Sequence, residues 1–151
     1  MKKQLFILTL IFGFIATGLS CAQAKTTQKE MFQSTYNEVK ALVQSKDYKF
    51  AGEVVFNNKK RTRLDQALNT IAISKNEVSG QVSSLDNKTV AINGKITNYN
   101  VNFDDDSQKI SIEFNVENME VYIDIKPNGN AFLTIKSGVD DITQAGKVES
   151  R

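Results

Sequence analysis

Histidine and tryptophan are absent from the 151-residue sequence, and cysteine and proline occur once each, as Cys21 and Pro127. Without imidazole, the usual nucleophile–histidine pairs and most tetrahedral zinc sites are excluded. A lone cysteine cannot close an internal disulfide. The chain also lacks a phosphate-cradling glycine loop and a Ser-x-x-Lys motif, so two further catalytic signatures are missing. It has no repeat and no low-complexity linker, and its length fits one domain of about 150 residues. Charge of one sign is lacking too. There are 19 basic and 17 acidic residues, and removing Lys2 and Lys3 with a leader leaves the rest neutral. A neutral domain has no electrostatic footprint for nucleic acid or an anionic lipid surface. What is present, 40% hydrophobic and 24% charged residues, is the balance of a globular chain that buries a core.

Met1-Lys2-Lys3 forms a positive n-region, and Leu5 to Ala16 is a nearly unbroken apolar run. The run is shorter than the roughly 20 residues of a membrane span and has the proportions of a secretory signal. Two ends are open to it. Ala22-Gln23-Ala24 is a small-x-small cleavage site, giving a leader of residues 1–24. Gly18-Leu19-Ser20-Cys21 resembles a bacterial lipobox, giving a leader of residues 1–20 and an acylated Cys21. Both readings place residues 25–151 in a single exported domain, periplasmic or membrane-anchored. Membrane contact is then confined to the lipid anchor.

Thr27-x-x-Glu30 has the form of a capping box, and Phe32, Tyr36, Val39 and Val43 follow on one helical stripe. The spacing predicts a helix over Gln28–Ser45. From Tyr48 the period changes to two. Ile110, Ile112, Phe114 and Val116 alternate with polar residues, as do Met119, Val121, Ile123 and Ile125. A two-residue turn at Glu117-Asn118 would oppose Val116 to Met119 and Ile110 to Ile125, so that every apolar residue meets another. The turn Pro127-Asn128-Gly129 would then oppose Ile125 to Ala131, Ile123 to Leu133 and Val121 to Ile135. Tyr99, Val101 and Phe103 align with Phe114, Ile112 and Ile110 across an Asp104–Ser107 turn. Phe50, Val54 and Phe56 are read as one face, as are Ile71 and Ile73. Val78 to Ser83, Val90 to Ile92 and Ile142 to Val148 complete the strands. The predicted fold is α+β: one N-terminal helix on a curved antiparallel sheet of seven or eight meandering strands, with a barrel-like closure possible.

Three runs carry a resemblance. They are Ile92-Asn93-Gly94-Lys95-Ile96-Thr97-Asn98-Tyr99, the hairpin from Tyr122 to Ala131, and Asp141-Ile142-Thr143-Gln144-Ala145-Gly146-Lys147-Val148. Together they resemble the domain of unknown function 4251 family, small exported proteins common in Bacteroidetes. The similarity runs from the helix to Val148 and implies the fold and export, but no activity. One departure is clear. Where the family has a Leu-Pro-Tyr run followed by Gly-Arg-Ala, this chain reads Gln81 to Lys88 without Pro, Tyr or Arg.

Few residues suggest chemistry. Asp104-Asp105-Asp106 is the densest acidic cluster, but consecutive acids in a turn diverge, so a hairpin tip is expected rather than a cation site. Lys59-Lys60-Arg61-x-Arg63 is read as a solvated basic loop, with no interleaved aromatics for base stacking. Glu53, Glu113, Glu120 and Asp124 fall on polar strand faces. Tyr122 and Phe132 sit diagonally on the face opposite the core. They are expected to pack under the helix, or else to line a ligand- or partner-binding surface. The functional expectation is a non-enzymatic envelope module, without catalytic residues, metal or cofactor. It would bind an envelope protein or a small apolar ligand through Tyr122 and Phe132. A carboxylate-dependent envelope hydrolase and a structural lipoprotein spacer are the alternatives.

Overall fold

The computed structural model describes residues 20–138 and 141–151, with side chains from residue 28 onward. The leader's charged and apolar regions, and the side chains of residues 20–27 with Cys21 and both cleavage sites among them, fall outside what is described. The chain divides into two compact units, residues 1–34 and 35–151. Helix α1 runs Ser20–Ser45. Thr27 therefore lies inside the helix, and the expected capping box at Thr27 does not mark its start. The end is as expected. Lys46 adopts the left-handed conformation (φ 53°), its amide donates to the Val43 carbonyl, and the Asp47 amide donates to Ser45 Oγ. These bonds satisfy groups at the helix terminus and turn the chain into the sheet.

Ten strands follow: β1 Asp47–Phe56, β2 Arg61–Arg63, β3 Thr70–Ser74, β4 Glu77–Ser83, β5 Thr89–Ala91, β6 Gly94–Asp104, β7 Lys109–Val116, β8 Met119–Ile125, β9 Asn130–Lys136 and β10 Ile142–Ser150. Each pairs antiparallel with its neighbours, in the order β10-β9-β8-β7-β6-β4-β3-β1. β1 also pairs with β10, from Tyr48 opposite Ser150 to Val55 opposite Gln144. The sheet thus closes into an eight-stranded barrel, with β2 and β5 as extra strands on β1 and β4. Closure removes the open edges that a curved sheet would leave. The closing seam needs a near approach of two backbones. Gly146 faces Gly52 there, and a Cβ on Gly146 would stand 2.0 Å from the Ala51 carbonyl oxygen.

The meander has the register expected from its alternation. Ile110 opposes Ile125, Ile112 opposes Ile123, and Val116 opposes Met119. Val121 opposes Ile135, Ile123 opposes Leu133, and Ile125 opposes Ala131. All of these residues except Met119 are buried. Two irregularities alter the simpler reading. The β6–β7 register shifts between Thr97 and Asn100, where Asn98 takes a positive φ of 52°. Val101 and Phe103 keep their expected partners, while Tyr99 stacks on Phe114 with ring centroids 6.1 Å apart instead of opposing it. In β1 a bulge lies between Gly52 and Val54. An extra residue reverses the face of everything beyond it, so Phe50 and Val55 point inward and Val54 and Phe56 outward. Phe50, Val54 and Phe56 therefore do not share a face.

An eight-stranded barrel is about wide enough for its own side chains to fill. Tyr48, Phe50, Ile71, Ile73, Phe114 and Leu133 are among the fully buried side chains that fill this one. From Thr35 onward, α1 packs over one end of the barrel. Tyr36, Val39 and Val43 are buried in the same core cluster as the inward strand residues. Around them, Tyr36 Oη donates to Asp105 at 2.6 Å, Lys40 pairs with Asp105, and the Lys46 ammonium lies 4.6 Å from the Tyr99 ring centroid. The opposite end is held by polar groups. Gln144 Nε2 donates to the Ser83 carbonyl at 2.9 Å and to Asn69 Oδ1 at 3.3 Å, while the Ser83 amide donates to Asn69 Oδ1.

Candidate functional site

Because side chains alternate along a strand, the strands that fill the interior also build an outer wall. Strand pairing across β2, β1, β10, β9 and β8 sets that wall in rows. Arg61 opposes Phe56 across β2 and β1, and one row of the following strands runs Thr143, Thr134 and Tyr122. The next runs Arg63, Val54, Ala145, Phe132 and Asp124. Phe56 meets Phe132 edge-to-face, with centroids 6.4 Å apart. Each of the three outward rings carries a cation. The Arg61 guanidinium lies 5.8 Å from the Phe56 centroid, the Lys126 ammonium 5.8 Å from Phe132, and the Lys136 ammonium 5.1 Å from Tyr122. At exposed sites such contacts contribute roughly 0.5–1 kcal/mol each. All three rings remain partly exposed.

Tyr122 and Phe132 thus stand on the same wall, as expected from the hairpin register. They do not pack under the helix. The contacts of α1 from Thr35 onward lie at the barrel end, at Asp105 and beside Gly129, whereas the partners of Tyr122 and Phe132 are Glu120, Lys136, Phe56 and Lys126. The physical reason is that closure gives the helix a mouth to fill, whereas an open sheet would have offered it a face. Two members of the wall were hidden in the sequence. Phe56 changes sides only because of the bulge, and Arg61 belongs to a short strand where a basic loop was expected. Lys126 and Lys136 carry no signal of their own beyond alternation with Ile125 and Ile135.

The acids serve neighbouring groups. The Tyr122 hydroxyl donates to Glu120 at 2.9 Å, and this bond to a carboxylate, with lesser help from desolvation, raises the phenol above its ordinary range. Ser111 Oγ donates to Asp124 at 2.7 Å, and Gln66 Nε2 to Glu53 at 3.0 Å. Glu113, Glu120 and Asp124 stand exposed on the convex wall. Glu53 lines an open cleft with Arg61, Arg63 and Asp65, where Asp65 accepts from the Ala67 amide and caps a short 3-10 turn at Gln66–Leu68. That cleft gathers two carboxylates that already hold backbone or amide partners. Asp104 accepts from Ser107 and the Asp106 amide, so this acid organises the β6–β7 turn. The Ser107 hydroxyl bond chiefly holds its carboxyl below the usual range. Among the described residues, no three of Cys, His, Asp and Glu group as metal ligands.

A family model for a domain of unknown function (DUF4251) matches residues 30–147. The chain belongs to the DUF4251 family. A crystal structure of a DUF4251 family protein from Bacteroides eggerthii is similar to it, with a TM-score of 0.66 and 15% identity. The match covers 78% of this chain and 88% of that one, and at this identity it speaks for the shared fold. Among curated proteins no relative matches.

Proposed function

We propose that this DUF4251 protein is a non-enzymatic module of the cell envelope that binds a partner through the outer wall of β1, β10, β9 and β8. The observation that carries the reading is the trio Phe56, Phe132 and Tyr122, each half-exposed beneath a cation. Rings with one apolar face and a polar surround are the residues that binding surfaces favour. A small apolar ligand inside the barrel is disfavoured, because inward side chains such as Phe50, Phe114 and Leu133 occupy the axis. Export follows from the leader, with anchoring at Cys21 if lipoprotein processing applies.

The test is site-specific photo-cross-linking in the envelope of the native host. A photoreactive residue in place of Tyr122 or Phe132 is expected to give discrete adducts, and one in place of exposed Lys95 on β6 is not. Equal adducts at all three positions would refute the reading. The intact mass of the mature protein distinguishes a chain starting at Lys25 from one acylated at Cys21.

A further inference from the structure

We infer that an acidic, extended peptide adds to β2 as a further strand. The site adjoins the wall proposed above but does not use Tyr122 or Phe132. β2 is paired on one side only, to β1. The Asn57 amide donates to the Lys60 carbonyl, and the Leu64 amide donates to the Glu53 carbonyl. Bonded positions alternate along an antiparallel pair, so Thr62 is the residue of β2 that bonds to Val55 opposite it. The N–H and C=O groups of Arg61 and Arg63 therefore point away from β1. Neither backbone makes a bond on that side among the described residues. Next to them lies an open cleft of about 930 Å³, lined by β2 and by Leu64 to Ala67. Two such residues, one position apart, present what an extended chain needs to add a strand.

Charge selects an acidic chain. Lys59, Lys60, Arg61 and Arg63 are all exposed on this hairpin, and none of them takes part in the ion pairs found among the described residues. The carboxylates beside them are Glu53 and Asp65, which accept from Gln66 Nε2 and the Ala67 amide. Arg61 and Arg63 are balanced by these two acids, and Lys59 and Lys60 leave the edge positive.

A short strand bearing cations is a common guard against edge-to-edge pairing. Here the guard rejects a second copy of the chain, since β2 paired antiparallel with itself would set arginine against arginine. An acidic strand turns the same cations into attraction through charge-assisted bonds to its carboxylates. An anionic glycan would meet the cations, but it has no ladder of N–H and C=O groups to match the edge.

The experiment follows the backbone amides of the mature protein by NMR during titration with an alternating Glu-Thr peptide, with the matching Lys-Thr peptide and with oligogalacturonate. The Glu-Thr peptide is expected to bind, more weakly as salt rises to about 0.5 M. It should slow hydrogen exchange at the Arg61 and Arg63 amides by about tenfold. The other two ligands should bind at least about tenfold more weakly. Arg63→Pro removes an N–H that has no partner in the free protein, a change that edge strands tolerate. It should lower Glu-Thr affinity by about tenfold without changing the melting temperature appreciably. Failure of the unaltered protein to bind the Glu-Thr peptide overturns the inference. Binding that leaves exchange at Arg61 and Arg63 unchanged overturns it as well, whatever Arg63→Pro does to folding. Equal binding of oligogalacturonate overturns it by showing a general anion site. All of these readouts are separate from cross-linking at Tyr122 and Phe132, so the two proposals fail separately.

Discussion

β9 is a ribbon of seven residues with two unlike sides. Ala131, Leu133 and Ile135 are fully buried in the barrel, while Phe132, Thr134 and Lys136 face out among rings and cations. The inner side is chosen by volume: each residue must fill the space left by its neighbours. The outer side is free of that constraint, since Phe132 fills no space inside the barrel and meets Phe56 on the wall instead. The difference teaches that the same strands fill the core with one set of alternate residues and build the proposed binding wall with the other. It can be broken or sharpened by substitution.

The largest effect is expected at the seam. Gly146→Ala would place a Cβ 2.0 Å from the Ala51 carbonyl oxygen, so β1 and β10 must part and the barrel open. A loss of about 5 kcal/mol or more is expected, seen as a collapse of soluble yield and melting temperature. Wild-type stability in this variant would show that the seam is not closed as described. Next comes Leu133→Ala, which empties a fully buried site and should cost about 2–5 kcal/mol in urea unfolding.

Alkaline pH sharpens the contrast differently. Burial, reinforced by Tyr99, holds the Tyr48 phenol far above its ordinary value, and the two hydroxyls are 3.1 Å apart. The unfolded phenol titrates near about pH 10. A raised folded value means the neutral form is the one stabilised. This contribution is therefore complete below about pH 10 and is lost as pH rises above it. Tyr48→Phe should flatten the fall in the urea midpoint above about pH 10, leaving the slope from Tyr36 and Tyr99, whose phenols burial also raises. An unchanged slope would show that Tyr48 is not the buried acid. The smallest effect is expected from Lys136→Ala. Removing one exposed cation from the Tyr122 ring should cost no more than about 1 kcal/mol, measured by the same unfolding assay.

Much of this structure is legible in the sequence, for a physical reason. In the meander from Lys109 to Lys136 each strand is regular and each turn short, so period and turn length fix the register together. The Phe56 side of the barrel is not legible. A single extra residue at Glu53 leaves composition and alternation almost untouched, yet exchanges inside for outside. Closure is hidden as well, because pairing of β1 with β10 joins residues about a hundred positions apart and depends on Gly52 and Gly146 meeting face to face. Of the wall, Tyr122 and Phe132 were visible by alternation. Arg61 and Phe56 became members only through the bulge and the short β2 strand.

The most direct test sets Ile123→Ala beside Tyr122→Ala, adjacent residues of β8 on opposite sides of it. Unfolding free energy and cross-linking yield from Phe132 would be measured for both. Ile123→Ala is expected to lose about 2–5 kcal/mol while its folded fraction keeps the adducts. Tyr122→Ala should stay within about 1 kcal/mol of the parent and lose them. Adducts that vanish with Ile123 and persist without Tyr122 would contradict the account.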